Sequence, residues 1–358
     1  MWDLAVREDD YLAVDSMLAR YAAAPLSYRI VPAYARGDSA GIARLRDEAR
    51  ALDARQSQIA ARYVATLLEN MSAAEELARL DLQPRRNAGI RLGAQTFLAW
   101  LEVARGRWSG AKAAFEEAER MDGGGAIRQE HALAATLPFL NVPREDLLAV
   151  RRDVEAWNAS EPVTGSPTLP SALRAHYRLY LLGLLSSRLG EDDRANRYAH
   201  DLDNLTAPSG AHAVVAGLAA TVRADVALRR GHTAEALQLL APATGAVPLE
   251  LVYVKPFVNA REYTQEHARY LRAEALLAMG RNDEARRWYE NSFQGSPSEV
   301  AYLAPMHAGL AWILERAGLR TQAVAHMRKF VALWLDGDPA VQPRVAEARA
   351  SLKRLESR

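Results

Sequence analysis

Eight histidines, and the acids beside two of them, are the first places to look for chemistry in this chain. Glu130-His131 and Glu266-His267 each put a carboxylate next to an imidazole. Adjacent residues on a helix point in different directions, so both pairs are expected as polar positions inherited from a repeat rather than as acid–base couples. No His-Glu-x-x-His string supplies two zinc ligands on one helix face, and no Glu-x-x-His pair of the di-iron kind occurs. The glycine-rich loop, His-Arg-Asp and Asp-Phe-Gly of a protein kinase are missing. Gly123-Gly124-Gly125 lacks the preceding strand and following Lys of a phosphate cradle. With no cysteine, thiolate metal sites, disulfides and cysteine nucleophiles are excluded. The expectation is a chain with no catalytic residue, no metal site and no cofactor.

Basic pairs at Arg85-Arg86, Arg151-Arg152, Arg229-Arg230 and Arg286-Arg287 raise nucleic-acid binding. Against it, 45 basic and 44 acidic side chains leave a net charge of +1, too little for the counterion release that phosphate binding depends on. These pairs are expected on solvated helix faces, with no nucleic-acid partner. No apolar run approaches the ~20 residues of a membrane span, and no secretory signal follows Met1. No membrane insertion and a cytoplasmic location are expected, the alternative being an extracytoplasmic domain of a longer membrane-anchored protein.

What remains is periodic. Gly106, Gly190, Gly231, Gly280 and Gly318 each end an Ala/Leu/Arg-rich stretch. Seven residues earlier stand Ala99, Gly183, Ala224, Ala273 and Ala311; five residues later stand Ala111, Ala195, Ala236, Ala285 and Ala323. Leu101, Leu185, Val226, Ala275 and Ile313 lie five before, and Phe115, Ala199, Leu240, Tyr289 and Met327 nine after. The pattern fits an antiparallel helix pair turning at a glycine C-cap, with small residues where the two backbones come closest. Weaker turns at Gly37, Asn70 and Asn141 extend the series, with Pro143 placed to open a helix. Spacings of 33, 36, 35, 49, 41, 49 and 38 bracket a period of ~34 residues. One such pair cannot bury its apolar faces, so pairs must stack.

The stretches Gly106 to Phe115, Gly280 to Tyr289 and Gly318 to Met327 resemble the second half of tetratricopeptide repeats. Lys329 to Pro339, then Gln342-Pro343 and a last helix, is similar to the end of the repeat regions fused to bacterial serine/threonine kinases and to transcriptional regulators with a bacterial activation domain. The resemblance implies an all-α, right-handed α-α superhelix of about eight helix pairs plus a C-terminal capping helix. It also implies a concave face that binds proteins or peptides. The expected division is N-terminal repeats over 1–158, a Pro-rich linker over 159–171, C-terminal repeats over 172–338 with an inserted loop at 241–260, and a cap over 339–358.

In such arrays the first helix of each pair lines the inner face. Its offsets here carry Trp100, Tyr177, Tyr180, Asp225, Arg229, His267, Tyr270, Glu274, Trp312 and Arg316. Aromatic anchors among both charges suit a peptide groove, since Tyr, Trp and Arg dominate interface energetics. A carboxylate clamp for a chain terminus is not expected, because Trp100, Leu184, Asp225, Glu274 and Trp312 fill its asparagine slot. The function expected is a non-enzymatic scaffold or regulatory module for a protein or peptide partner, such as a kinase, a transcriptional regulator or a multi-subunit complex. The alternatives are a small-molecule sensor with its ligand inside the superhelix under the Leu249 to Phe257 loop, and a structural subunit of a larger assembly.

Overall fold

A computed structural model of the chain describes residues 5–6, 10–20, 24–51, 56–122, 127–159, 173–207, 210–243, 265–291 and 297–357. All regular structure among them is helical: α1 (Tyr11–Ala19), α2 (Leu26–Arg36), α3 (Ser39–Ala51), α4 (Gln56–Leu67), α5 (Met71–Leu80), α6 (Ala88–Ala104), α7 (Trp108–Asp122), α8 (Ile127–Thr136), α9 (Arg144–Ala156), α10 (Arg174–Arg188), α11 (Asp192–Asn204), α12 (His212–Arg229), α13 (Thr233–Leu239), α14 (Glu266–Ala278), α15 (Asn282–Glu290), α16 (Leu303–Arg316), α17 (Arg320–Trp334) and α18 (Gln342–Glu356). A 3-10 segment, Pro297–Tyr302, precedes α16. No described helix is long and apolar enough to cross a membrane.

Six turns are built alike. Gly37, Gly106, Gly190, Gly231, Gly280 and Gly318 all have φ between +65° and +79°, where a Cβ would be strained. Each glycine N–H donates three residues back and the next N–H five residues back, as Gly106 to Val103 O (2.9 Å) and Arg107 to Glu102 O (2.9 Å). This double bond closes the orphan carbonyls of the first helix and reverses the chain. All twenty residues at the four periodic offsets are buried, as close packing of paired helices requires.

Three irregular places depart from expectation for local reasons. At the second turn Glu69, not Asn70, takes the left-handed conformation (φ +54°), while Asn70 caps α5 by accepting from Ala73 N–H at 3.0 Å. Helix α8 ends at Thr136, two residues before Pro138, which has no N–H to continue it toward the Asn141 turn. Pro32 is carried inside α2 and Pro25 sits at its N-cap. The expected cap over 339–358 forms as α18, and most of the 159–171 linker and 241–260 loop lies outside the described residues.

Helix pairs pack on their neighbours in chain order, α5 on α6, α7 on α8, α9 on α10, α11 on α12, α13 on α14 and α15 on α16. Arginines join successive pairs by capping the carbonyl end of the preceding helix, Arg178 on Val154 and Glu155 and Arg272 on Leu240 and Ala243, while Arg269 caps the end of α15, the second helix of its own pair, at Asn291. The order is then broken by a return contact. The 3-10 segment packs on α4 and α6, and the turn after α17 docks on the turn after α6. There Trp334 Nε1 donates to Ala104 O (3.1 Å), Asp338 N–H to Gly106 O (3.0 Å), and Asn141 Nδ2 to Ala340 O (3.0 Å). The Asp338 carboxylate accepts from Ser109 N–H (3.0 Å), capping α7 from 229 residues away. The last pairs therefore close back on the early ones along a seam.

Candidate functional site

The first site lies where the inner-face residues converge. Trp100 from α6, Tyr177 and Tyr180 from α10 and His267 from α14 line one cavity with Leu133, Leu137, Gln265, Glu266, Ser298 and Tyr302. Its space, counted out to the open solvent at its mouth, is about 290 Å³. The free room inside it is that of about one water molecule. Trp100 is 0%, Tyr177 2%, Tyr180 4% and Tyr270 9% exposed, so this inner wall is packed rather than open. Tyr270 belongs to a ring cluster with Phe139 (centroids 5.3 Å apart) and Tyr302 (5.5 Å). Burial, then neighbouring acids and tyrosines, pushes Tyr180 and Tyr302 well above the usual phenol range, so both remain neutral donors. Glu274 accepts from Tyr289 Oη at 2.5 Å.

Asp225 sits behind the cavity. Ser187 Oγ donates to its Oδ2 (2.5 Å) and His267 Nε2 to its Oδ1 (3.3 Å). Burial alone would raise this carboxyl; the His267 and Ser187 hydrogen bonds and the Arg188 charge outweigh it and hold it below the usual carboxylate range. The residue types are those of a hydrolase triad, but the order is wrong: the carboxylate stands between serine and histidine, so no imidazole can take the serine proton. Three predicted residues are elsewhere. Arg229 reaches only the edge of the Asp225 cluster, its Nη1 3.5 Å from Ser187 Oγ and 3.9 Å from Asp192, and Trp312, 39% exposed, carries Arg316 over its ring at 4.4 Å on the outside of the molecule.

The second site is open and lies on the seam. A cleft of about 610 Å³ runs between the α4–α5 turn and α17. Leu68, Met71, Ala332 and Leu333 supply apolar surface; Arg105, Arg107, Lys329, Glu69, Glu75 and Asp336 supply charge. Glu69, in its left-handed turn, accepts from Lys329 Nζ (3.1 Å) and from His307 Nε2 (2.9 Å). Burial would raise the Glu69 carboxyl, but His307 and Lys329 outweigh it and bring it below the ordinary range. His307 Nδ1 lies 2.8 Å from His326 Nδ1. Burial, with the charges of His307 and Lys329, lowers His326 to about 4. Among the described residues no three His, Asp or Glu side chains converge as a metal site.

The periodic offsets do not mark this cleft, because its residues come from one irregular turn and from a helix face that meets a pair far away in sequence. The positive φ of Glu69 has no glycine or asparagine to announce it. The basic pairs also need correction: Arg86 is buried, 3.4 Å from Asp81, and donates to Ala49 O, because it caps α3. Arg151, Arg230 and Arg286 are held by Glu191, Asp192 and Glu290. One further string, Gly37-Asp38-Ser39-Ala40-Gly41, matches the nucleophile-elbow pattern Gly-x-Ser-x-Gly. An elbow needs a strand before it to aim the serine. Here a helix ends at Gly37 and Ser39 opens another, exposed to solvent.

Comparison with protein-family models gives no match, and comparison with curated proteins gives no significant one. The class that the coordinates define is an all-α protein of stacked helix pairs.

Proposed function

We propose that the chain is a right-handed, tetratricopeptide-like superhelix of about eight helix pairs with a capping helix, acting as a non-enzymatic scaffold that binds a protein or peptide segment. The six identical glycine turns and the chain-order stacking support the architecture. The single observation that carries the binding role is the seam cleft: an open concavity lined by apolar side chains and by both signs of charge. Those features give a peptide anchoring area and direction together. The preferred ligand is a segment bearing an acid and a base around apolar side chains. A cytoplasmic bacterial signalling or assembly system is the setting we propose.

Peptides selected from a displayed library against the purified chain test this. Binding should weaken at least fivefold in Lys329→Ala/Asp336→Ala, with the helical circular dichroism unchanged. Selected peptides that bind the variant as tightly as the parent would sink the cleft as the site. Tyr270→Ala or Glu274→Ala reads folding instead, since Tyr270 is packed and Glu274 holds Tyr289.

A further inference from the structure

Glu266 is a buried carboxyl that uses little of its acceptor capacity. It is 7% exposed and accepts from Ser298 Oγ at 3.0 Å, and among the described residues no basic side chain pairs with it. Its neighbours are better partnered: Asp225 accepts hydrogen bonds from both Ser187 and His267, and Glu299 pairs with Arg269 at 2.7 Å. Buried acceptor capacity left unused is costly, so a carboxyl with so few partners asks for a donor.

Two more acceptors are left over beside it. Gln265, 6% exposed, gives its Nε2 weakly to Val214 O (3.5 Å), and its Oε1 has no partner. His267, 2% exposed, uses Nε2 on Asp225, and its Nδ1 has no partner; in the neutral ring that nitrogen is a lone-pair acceptor. Both side chains line the interior cavity with Glu266. Trp100, Tyr177, Tyr180 and Tyr302 complete the wall, and no Lys or Arg is among the described residues that line it. The site is thus rich in acceptors and ring surface and short of positive charge.

Its geometry is held in place. Gln265 has φ +48°, a conformation non-glycine residues seldom adopt, and such strain persists only where surroundings enforce it. Gly217 makes the room: a Cβ there would fall 2.5 Å from Gln265 Nε2.

We propose that this space binds a small organic cation, a primary ammonium head group held by Glu266, Gln265 Oε1 and His267 Nδ1 inside the walls of Trp100, Tyr177, Tyr180 and Tyr302. Aromatic walls attract a cation through their quadrupoles. An ammonium head has three donors for the three acceptors, and its size suits a space for about one water, whereas a quaternary ammonium does not fit. The site is separate from the seam cleft and does not depend on a peptide there.

The test is calorimetry and thermal melting of the full chain with methylammonium and with Nα-acetyl-lysine amide. Methanol, tetramethylammonium and sodium at matched ionic strength serve as controls. Saturable binding of either amine and of none of the controls is expected; which one binds separates a free amine from a lysine side chain. Gln265→Gly, chosen because glycine accepts φ +48°, and Gly217→Ala, which displaces the carboxamide, should each weaken binding at least tenfold. Amine effects no larger than those of sodium, undiminished binding in Gln265→Gly, or a crystal structure with amine present and only water in the cavity would overturn the proposal. The peptide reading would survive that result.

Discussion

His326 on α17 faces His307 from α16, Glu69 from the α4–α5 turn, Arg286 from α15 and Lys329 one turn along its own helix. Its folded pKa of about 4 lies below the ~6.5 of an unfolded histidine. Between those values the unfolded chain binds more protons, so stability falls as pH drops through the window. Glu69 acts in the same direction: its depressed carboxyl contributes stability above its unfolded pKa and loses it as pH falls through the folded one. The melting temperature should therefore decline from pH 6.5 to pH 4. His326→Asn should flatten that slope by on the order of 1 kcal/mol, discounted because the ring is partly solvated. A slope identical in parent and variant would show that His326 is not its source. Elsewhere, Arg269 and Glu299 form a pair that is 3% and 2% exposed on its side chains. Glu299→Ala should cost about 3–5 kcal/mol in urea unfolding, and Arg269→Met/Glu299→Leu less than the sum of its single changes.

Helices α15 and α16 meet at Gly309, where a Cβ would lie 2.6 Å from the Tyr289 ring. Gly309→Ala is expected to lose about 1–3 kcal/mol, and Tyr289→Leu in the same chain to recover part of it. Chemical denaturation of the three proteins decides; no loss in Gly309→Ala would mean that the pairs slide. At this scale the sequence was most legible. A left-handed turn demands glycine, and a close crossing demands alanine, so both constraints are written as residue types at fixed intervals. The second turn was legible at Asn70, but its left-handed residue, Glu69, was not, because there the surrounding contacts and not the residue type impose the conformation. The inner wall was half legible: its members share a surface, as Trp100, Tyr177, Tyr180 and His267 show. Their spacing could not reveal that bulk from the 3-10 segment, Ser298 and Tyr302, would close that surface. Trp312 falls on the same offset as Trp100 yet faces solvent.

For the whole molecule the decisive feature is the clasp between the turn after α17 and the turn after α6. Trp334 is fully buried there, and Val341 Cγ2 and the Trp334 ring would lie within 3.3 Å of a Cβ at Gly106. Trp334→Ala should cost about 3–5 kcal/mol. Hydrogen exchange should quicken at Gly106 and Ser109 as much as in α17; protection loss confined to residues beyond 297 would argue that the two ends open independently. Asp338→Ala, which uncaps α7, should cost about 1 kcal/mol. An unclosed stack of pairs tolerates gain or loss of a unit at either extremity, because each unit touches only those beside it. Here the number of units is fixed by geometry: remove one, and Trp334 no longer arrives at Ala104. Length variation in proteins built this way should be confined to the connections, while the tally of hairpins between the two halves of the clasp stays constant.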